Sequence, residues 1–292
     1  MILNLSRMDL DDAGGNPEQI ATAIHEQAPG MPDLVPIEKV AEELEIAEIR
    51  YEFIENLDGA LVTDEEKSIG SVLINKTLSP ERKRYTIAHE LGHFLNPYHT
   101  PPPSGRFNCS AEDLAKSDKS SPDKRVQQEV EANRFAAELL MPRKRFIKKV
   151  RRLMGLDLEH VLQLAGDFGV SKEAAARRYV KLQDEPCAVV FSRNGVIRYP
   201  FRHDDFPWVK VTPGDPMPQG ASARTDILTG SVTDWEEAEL GVWCSRKEPR
   251  QVITQTLAQQ NGFRMTLLAL ADDEELEEED ELEASWTPHF KR

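Results

Sequence analysis

The chain has 292 residues, which is enough for two domains or three small ones, and it carries a formal net charge of −15. Ten of the negative charges fall within residues 272–283, which we expect to form a solvated, disordered tail, so the net charge says little about the folded part. The three cysteines are widely spaced and form no C-x-x-C pair, so the sequence indicates neither a zinc knuckle nor a disulfide framework.

The N-terminal sequence has no basic segment leading into an apolar core, and no apolar run approaches the roughly 20 residues that span a bilayer. We therefore expect a cytoplasmic protein without a membrane segment. The first predicted elements are short helices over residues 17–28 and 37–44.

A small sheet is predicted next. Apolar Ile49, Tyr51 and Phe53 alternate with polar neighbours, a pattern typical of a half-buried strand. The apolar runs at residues 60–62 and 71–74 predict two more strands, with a polar turn between them.

The most informative motif is His-Glu-x-x-His, formed by His89, Glu90 and His93. Ser79 and Pro80 predict the start of a helix that carries it. On a helix, residues four apart lie roughly 5–6 Å from each other on one face. This spacing lets two imidazoles reach one zinc ion, while Glu90 lies close enough to take a proton from a bound water.

A catalytic zinc ion needs a third protein ligand, and the residues alone leave two candidates. One is Glu129, which shares a face of a second predicted helix with Asn133. The other is His99, because the run from His89 to His99 is similar to the pattern H-E-x-x-H-x-x-G-x-x-H. In that reading Asn96 replaces the glycine that lets the chain turn, and Pro97 disfavours the turn.

Two blocks of sequence together resemble the ImmA/IrrE family of metallo-endopeptidases. The resemblance is specific over residues 35–142 and looser to about residue 183. Its motifs are the segment 85–94, the block Glu129-x-x-Ala132-Asn133-x-Phe135-Ala136, and Leu139-Leu140-Met141-Pro142.

The resemblance implies a zincin-like peptidase core over residues 1–142, with a small sheet and the His-Glu-x-x-His helix. It assigns His89, His93 and Glu129 as metal ligands and Glu90 as the general base. The implied metal is Zn²⁺, with Mn²⁺ as an alternative.

Further expectations concern the surroundings of this site. The resemblance implies that residues 71–75 line the cleft, where they could pair with an extended substrate. Residues 96–124 are rich in proline and polar residues, which predicts a long loop near the active site. We expect Glu131 and Glu138 to lie on a solvated helix face, the alternative for Glu131 being a place behind the metal ligands.

Residues 143–183 change in character. Between Arg143 and Lys181 there are 11 Lys or Arg residues against four acids, and the pattern of residues 158–182 predicts a helix-turn-helix with Ser171 as a helix cap. Weak nucleic-acid contact through residues 143–182, docking of a protein partner and simple packing all remain open.

The rest of the chain predicts a C-terminal α+β domain over residues 184–271, followed by the acidic tail at 272–292. Arg193-Asn194-Gly195 is a good hairpin turn between two apolar runs. By resemblance to some family members, this domain is expected to be a GAF-like sensor. The fold class predicted for the whole chain is therefore α+β.

Together these features predict a zinc-dependent endopeptidase. By resemblance, its substrate would be a Cro/CI-type helix-turn-helix repressor, whose cleavage would release stress-response or mobile-element genes. The alternatives are a transcriptional regulator that binds DNA or protein and has a structural zinc site, or an antitoxin-like partner.

Overall fold

The computed structural model describes residues 3–115, 122–218, 227–238, 240–244 and 251–271, so the acidic segment at 272–283 lies outside the described residues. The chain forms two compact units. Unit 1 contains Met1–Lys149 and Gln163–Ala174, and unit 2 contains Val150–Leu162 and Ala175–Arg292. Within the described ranges, no helix is both long enough and apolar enough to cross a membrane.

Helices and strands occur in both units, which confirms the predicted α+β class. The helices are α1 (Pro17–Gln27), α2 (Ile37–Glu43), α3 (Pro80–Leu95), α4 (Lys124–Leu140), α5 (Arg143–Val150), α6 (Leu158–Phe168), α7 (Lys172–Leu182) and α8 (Leu240–Trp243). The strands are β1 (Ile46–Glu52), β2 (Gly59–Thr63), β3 (Gly70–Asn75), β4 (Arg106–Cys109), β5 (Cys187–Arg193), β6 (Val196–Arg202), β7 (Glu236–Ala238), β8 (Val252–Ala258) and β9 (Phe263–Leu270). The domain boundaries predicted at residues 142 and 183 stay predictions.

The sheet of unit 1 has the strand order β1-β3-β2-β4. Strand β3 is parallel to β1 and antiparallel to β2, and β2 is antiparallel to β4. The expectation that residues 71–75 pair with a substrate is therefore wrong, because both edges of β3 already carry strands. The predicted loop at 96–124 is also not entirely irregular, since it contains β4 at one edge of the sheet.

The two long helices of unit 1 begin where side chains cap them. Ser79 accepts a hydrogen bond from the backbone N–H of Arg82 and Pro80 opens the first turn of α3. Asp123 accepts a hydrogen bond of 2.9 Å from the N–H of Arg125 at the start of α4. These caps fix the residues at which the two helices begin, and therefore which side chains share a face.

Unit 2 contains a five-stranded antiparallel sheet with the order β6-β5-β9-β8-β7. Asn194 and Gly195 both have positive φ, as the predicted hairpin turn between β5 and β6 requires. One buried cluster of this unit includes Phe206, Trp243 and Leu268. The GAF-like character of this part stays a prediction.

The basic segment at 143–182 forms helices α5, α6 and α7. Ser171 accepts a hydrogen bond of 3.1 Å from the N–H of Ala174, as expected for a cap of α7. Several of its cations have partners within their own unit. Lys149 pairs with Asp33 and Asp167, and Arg151 with Asp184; Arg145 donates to the carbonyl of Met31.

Candidate metal centre

Three side chains of the types that bind metal ions meet between helices α3 and α4. The Nε2 atoms of His89 and His93 lie 3.1 Å apart. The Oε2 atom of Glu129 lies 3.2 Å from Nε2 of His89 and 3.5 Å from Nε2 of His93. The three residues are only 0%, 1% and 3% exposed. This buried group has the donor types and spacing to hold a metal ion.

The close approach of α3 and α4 depends on Gly92. A Cβ atom added at this position would lie 2.9 Å from Cδ1 of Phe135 and 3.3 Å from Cα of Ala132. Any larger residue would push the helices apart. The glycine within the motif therefore helps to bring Glu129 within reach of the two histidines.

The orientation of His89 is set by Asn133, one turn after Glu129 on α4. Nδ1 of His89 lies 3.0 Å from Oδ1 of Asn133. The amide cannot be reversed without loss, because its Nδ2 donates a hydrogen bond of 2.9 Å to the carbonyl oxygen of Asp113. An amide oxygen only accepts hydrogen bonds, so the proton of neutral His89 is on Nδ1. The lone pair of its Nε2 atom then faces His93 and Glu129, the other candidate metal ligands.

His99 lies behind His93 and outside the group of three donors. Its Nδ1 lies 3.0 Å from Nδ1 of His93, and its Nε2 lies 2.9 Å from Oε2 of Glu131. Burial, and then the nearby His93, lower the pKa of His99 to about 2. The structure thus places Glu129 among the donors and gives His99 a different position.

Glu90 is completely buried beside the donors. Among the described residues, neither oxygen of its carboxylate has a partner in hydrogen-bond geometry. Burial, followed by the charges of Glu129 and Asp113, raises its pKa well above the usual value, while Arg106 and the backbone of Leu61 oppose this shift more weakly. Glu90 therefore has the properties of a group that accepts and holds a proton.

The pKa of Glu129 is shifted in the opposite direction to that of Glu90. Burial raises its pKa, but without a bound metal ion the Nε2 sides of His89 and His93 can donate hydrogen bonds to it when these rings are protonated. These bonds and charges together outweigh burial, so the net pKa lies below the usual value. An ionised carboxylate is the form that binds a cation. The surroundings therefore shift the pKa values of the two glutamates of this site in opposite directions.

Strand β4 covers the site, which the sequence analysis did not foresee. The ring of Phe107 stacks on that of His93, with centroids 4.7 Å apart and an interplanar angle of 23°. The donor atoms of Cys109, His89 and Glu90 all lie within 4.8 Å of one another. The sequence feature that indicates this strand is the alternation of Phe107 and Cys109 with polar neighbours. It was missed because it lies in a segment rich in proline, which predicts a loop.

Lys67 is a second residue that the sequence did not single out. Its Nζ donates a hydrogen bond of 3.1 Å to the carbonyl oxygen of His93, and it also donates to that of Asn96. Burial, and then the charge of Arg7, lower its pKa to about 8. Lys67 caps the C-terminal end of α3, where a positive charge is favourable.

The expectation of a solvated face for Glu131 and Glu138 is wrong for Glu138, which is only 8% exposed. Its Oε1 accepts a hydrogen bond of 2.7 Å from the N–H of Arg143. Glu131 is partly exposed, and it takes the alternative role considered for it because it contacts His99.

Comparisons with known proteins reveal one similar solved structure and one matching domain family. The chain is similar in fold to a solved structure described as a Mycobacterium tuberculosis transcriptional regulator, with a TM-score of 0.53 and 16% identity over 90% of this chain and 76% of that chain. No curated protein matches the chain. Residues 45–179 match the IrrE N-terminal-like domain of the peptidase M78 family. These residues form an IrrE N-terminal-like domain of this family, which confirms the resemblance to ImmA/IrrE.

Proposed function

We propose that this chain is an intracellular zinc-dependent endopeptidase. The observation that carries the proposal is the buried group of His89, His93 and Glu129, with the completely buried carboxylate of Glu90 beside it. Zinc bonds of about 2.0–2.1 Å in tetrahedral geometry separate two ligand atoms by about 3.3 Å. The distances between the three donors, 3.1, 3.2 and 3.5 Å, agree with this spacing.

The donor set also favours zinc over manganese, because imidazole nitrogens suit zinc, whereas manganese prefers oxygen ligands. Zinc held by these residues would lower the pKa of a bound water toward about 7. Three protein ligands leave a fourth position open, as catalysis requires.

Glu90 would do the proton transfer. Its carboxylate takes a proton from the attacking water and returns it to the nitrogen of the leaving amine, so that one peptide bond and one water molecule yield a carboxyl group and an amine. A pKa raised by burial suits this role, because it makes the carboxylate a stronger base than that of an exposed glutamate.

A structural metal site is the second candidate, since all three donors are buried. A closed site would need a fourth protein ligand, and His99 is the histidine nearest to that role. Its two nitrogens already contact His93 and Glu131. The buried carboxylate of Glu90 favours catalysis, because a purely structural site gains nothing from it.

Extended peptide substrates could pair with β4. Among the described strands only β2 pairs with β4, so its outer edge carries no other described strand. An exposed edge can accept a further strand through backbone hydrogen bonds. Because β4 also covers the donors through Phe107, substrate entry would require this segment to move.

We further propose that the substrate is a helix-turn-helix transcriptional repressor. The match of residues 45–179 to the IrrE N-terminal-like domain supports this substrate class. A solved structure with a similar fold is described as a transcriptional regulator, which fits a role in gene control. Contact with nucleic acid through residues 143–182 is a weaker part of the proposal, since several cations there are paired within the chain.

The test compares the wild type with Glu90→Gln in cells, by labelling new protein N-termini, and measures the metal content of both proteins. We expect the variant to keep its metal. One cleavage seen with the wild type, within a repressor encoded by a neighbouring gene, should be absent from cells with the variant. Cleavage retained by Glu90→Gln would overturn the mechanism. The absence of any N-terminus that depends on Glu90 would favour the structural site.

A further inference from the structure

The two metal-binding histidines are held in different ways. His89 contacts the amide of Asn133 directly, whereas Nδ1 of His93 faces a second imidazole, that of His99. The second nitrogen of His99 then meets the carboxylate of Glu131. A chain of two hydrogen bonds therefore leads from His93 to a side chain on helix α4.

The direction of these two hydrogen bonds follows from the role of Glu131, the last residue of the series. Oε2 of Glu131 accepts from Nδ2 of Asn96 at 3.3 Å, so it already acts as an acceptor. As an acceptor it requires the proton on Nε2 of His99. The Nδ1 atom of neutral His99 must then accept, which places the proton of His93 on Nδ1. The Nε2 lone pair of His93 is left to face Glu129 and His89.

The backbone after α3 builds this arrangement. The N–H of His99 donates to the carbonyl oxygen of Asn96 at 3.2 Å, and Oδ1 of Asn96 accepts from the N–H of Tyr98 at 3.0 Å. This turn brings His99 behind His93. On α4, Glu131 is two residues beyond Glu129, a spacing that points the two side chains in different directions. Glu129 therefore faces the metal site and Glu131 faces His99.

We propose that His99 and Glu131 are positioning residues, which fix the ring orientation and tautomer of His93 through a hydrogen-bonded relay. Neither residue binds the metal. The relay does for His93 what Asn133 does for His89, and both ligands then present Nε2. The side chain of Glu131 is 37% exposed, whereas that of His99 is 1% exposed, so the relay connects a buried ligand to the protein surface.

Partners of this kind typically change metal affinity by 10- to 100-fold. We expect His99→Leu and Glu131→Leu to weaken zinc binding by roughly this factor while still binding one zinc ion per chain at saturation. Glu131→Gln can still accept a hydrogen bond from His99 through its amide oxygen, and should recover most of the affinity. His99→Asn, whose amide oxygen can accept from His93, should recover part of it.

The measurement is competition for zinc against a chromogenic chelator, using the full chain. A second readout is the tautomer of His93 by nitrogen-15 NMR, which a merely structural role would not change. Gln128→Leu is the matched control. It removes a contact of 3.4 Å from the same helix to the carbonyl oxygen of Tyr98 but does not touch the relay.

The inference rests on the metal centre of the proposed function, and the results separate the two. If the wild type binds no zinc, the proposed function itself fails. If it binds zinc and both Leu variants show unchanged affinity and tautomer, only the relay is overturned. If His99→Leu folds but binds no zinc at any concentration, while Glu131→Leu does bind it, His99 is a ligand and the relay is again overturned. Glu131 is partly exposed, so its variants test the relay even if His99→Leu fails to fold.

Discussion

Gly92 of helix α3 faces Phe135 of helix α4 so closely that an added Cβ atom would lie 2.9 Å from the Cδ1 atom of the ring. This contact sets the separation of the two helices that carry the three candidate metal ligands, His89, His93 and Glu129. It also means that the metal site and the packing of unit 1 depend on the same residue.

We expect Gly92→Val to weaken zinc binding and to lower the free energy of unfolding by about 1–3 kcal/mol, because extra atoms must be forced into a filled space. Chelator competition and chemical unfolding would measure the two effects. Gly166→Ala on helix α6 is the control. Apart from the local backbone and its chain neighbours, no atom of the described residues lies within 4 Å of an added Cβ there. Unchanged zinc affinity in Gly92→Val would show that helix separation does not control the site.

Glu129→Ala should remove the metal from the purified protein, because only two ligands remain and both are neutral imidazoles. Elemental mass spectrometry of the wild type and the variant measures this directly. Glu138→Ala is a suitable control, since Glu138 is another buried carboxylate of α4 that lies outside the donor group. Metal retained at the wild-type level in Glu129→Ala would exclude Glu129 as the third ligand.

The raised pKa of Glu90 predicts how the stability of the metal-free protein depends on pH. Above the unfolded pKa of about 4.3, the folded state holds more protons than the unfolded state, so this group makes stability fall as pH rises toward the folded pKa. Glu90→Gln removes that contribution. Its free energy of unfolding relative to the wild type should therefore increase with pH above about 4.3.

Chemical unfolding of both proteins between acidic and neutral pH, in the presence of a chelator, checks this expectation. The informative quantity is how the difference in free energy of unfolding between Glu90→Gln and the wild type changes with pH. This change is independent of any constant effect of the buried amide. Parallel stability curves would contradict the raised pKa of Glu90.

Phe107→Leu should make the site more accessible, because it removes the stacking of an aromatic ring on His93. Such pairs contribute about 0.5–1.5 kcal/mol beyond the area that they bury. We therefore expect zinc to be extracted by a chelator roughly two- to tenfold faster than from the wild type. Stopped-flow measurement of zinc release gives the rate.

Phe53→Leu is the control for this prediction, since Phe53 is an aromatic residue of the same unit and is 67% exposed. Its zinc release should match that of the wild type. Equal rates for Phe107→Leu and the wild type would show that β4 does not limit access to the donors.

Much of the metal centre could be predicted from the sequence, because its main features are local. The cap formed by Ser79 and Pro80 sets the start of α3, and the spacing of four residues then places His89 and His93 on one face. Glu129 and Asn133 share a face of α4 for the same reason. The α+β class also followed from local patterns, because helix and strand periods differ.

Tertiary structure decided which side chains meet across the chain. From sequence, His99 competed with Glu129 for the metal, and spacing alone could not separate them. The turn after α3 brings His99 behind His93, and packing against α4 gives it Glu131 as a partner. The covering role of Phe107 was equally hidden, because it depends on β4 pairing with β2, and such pairing joins residues that are far apart in sequence.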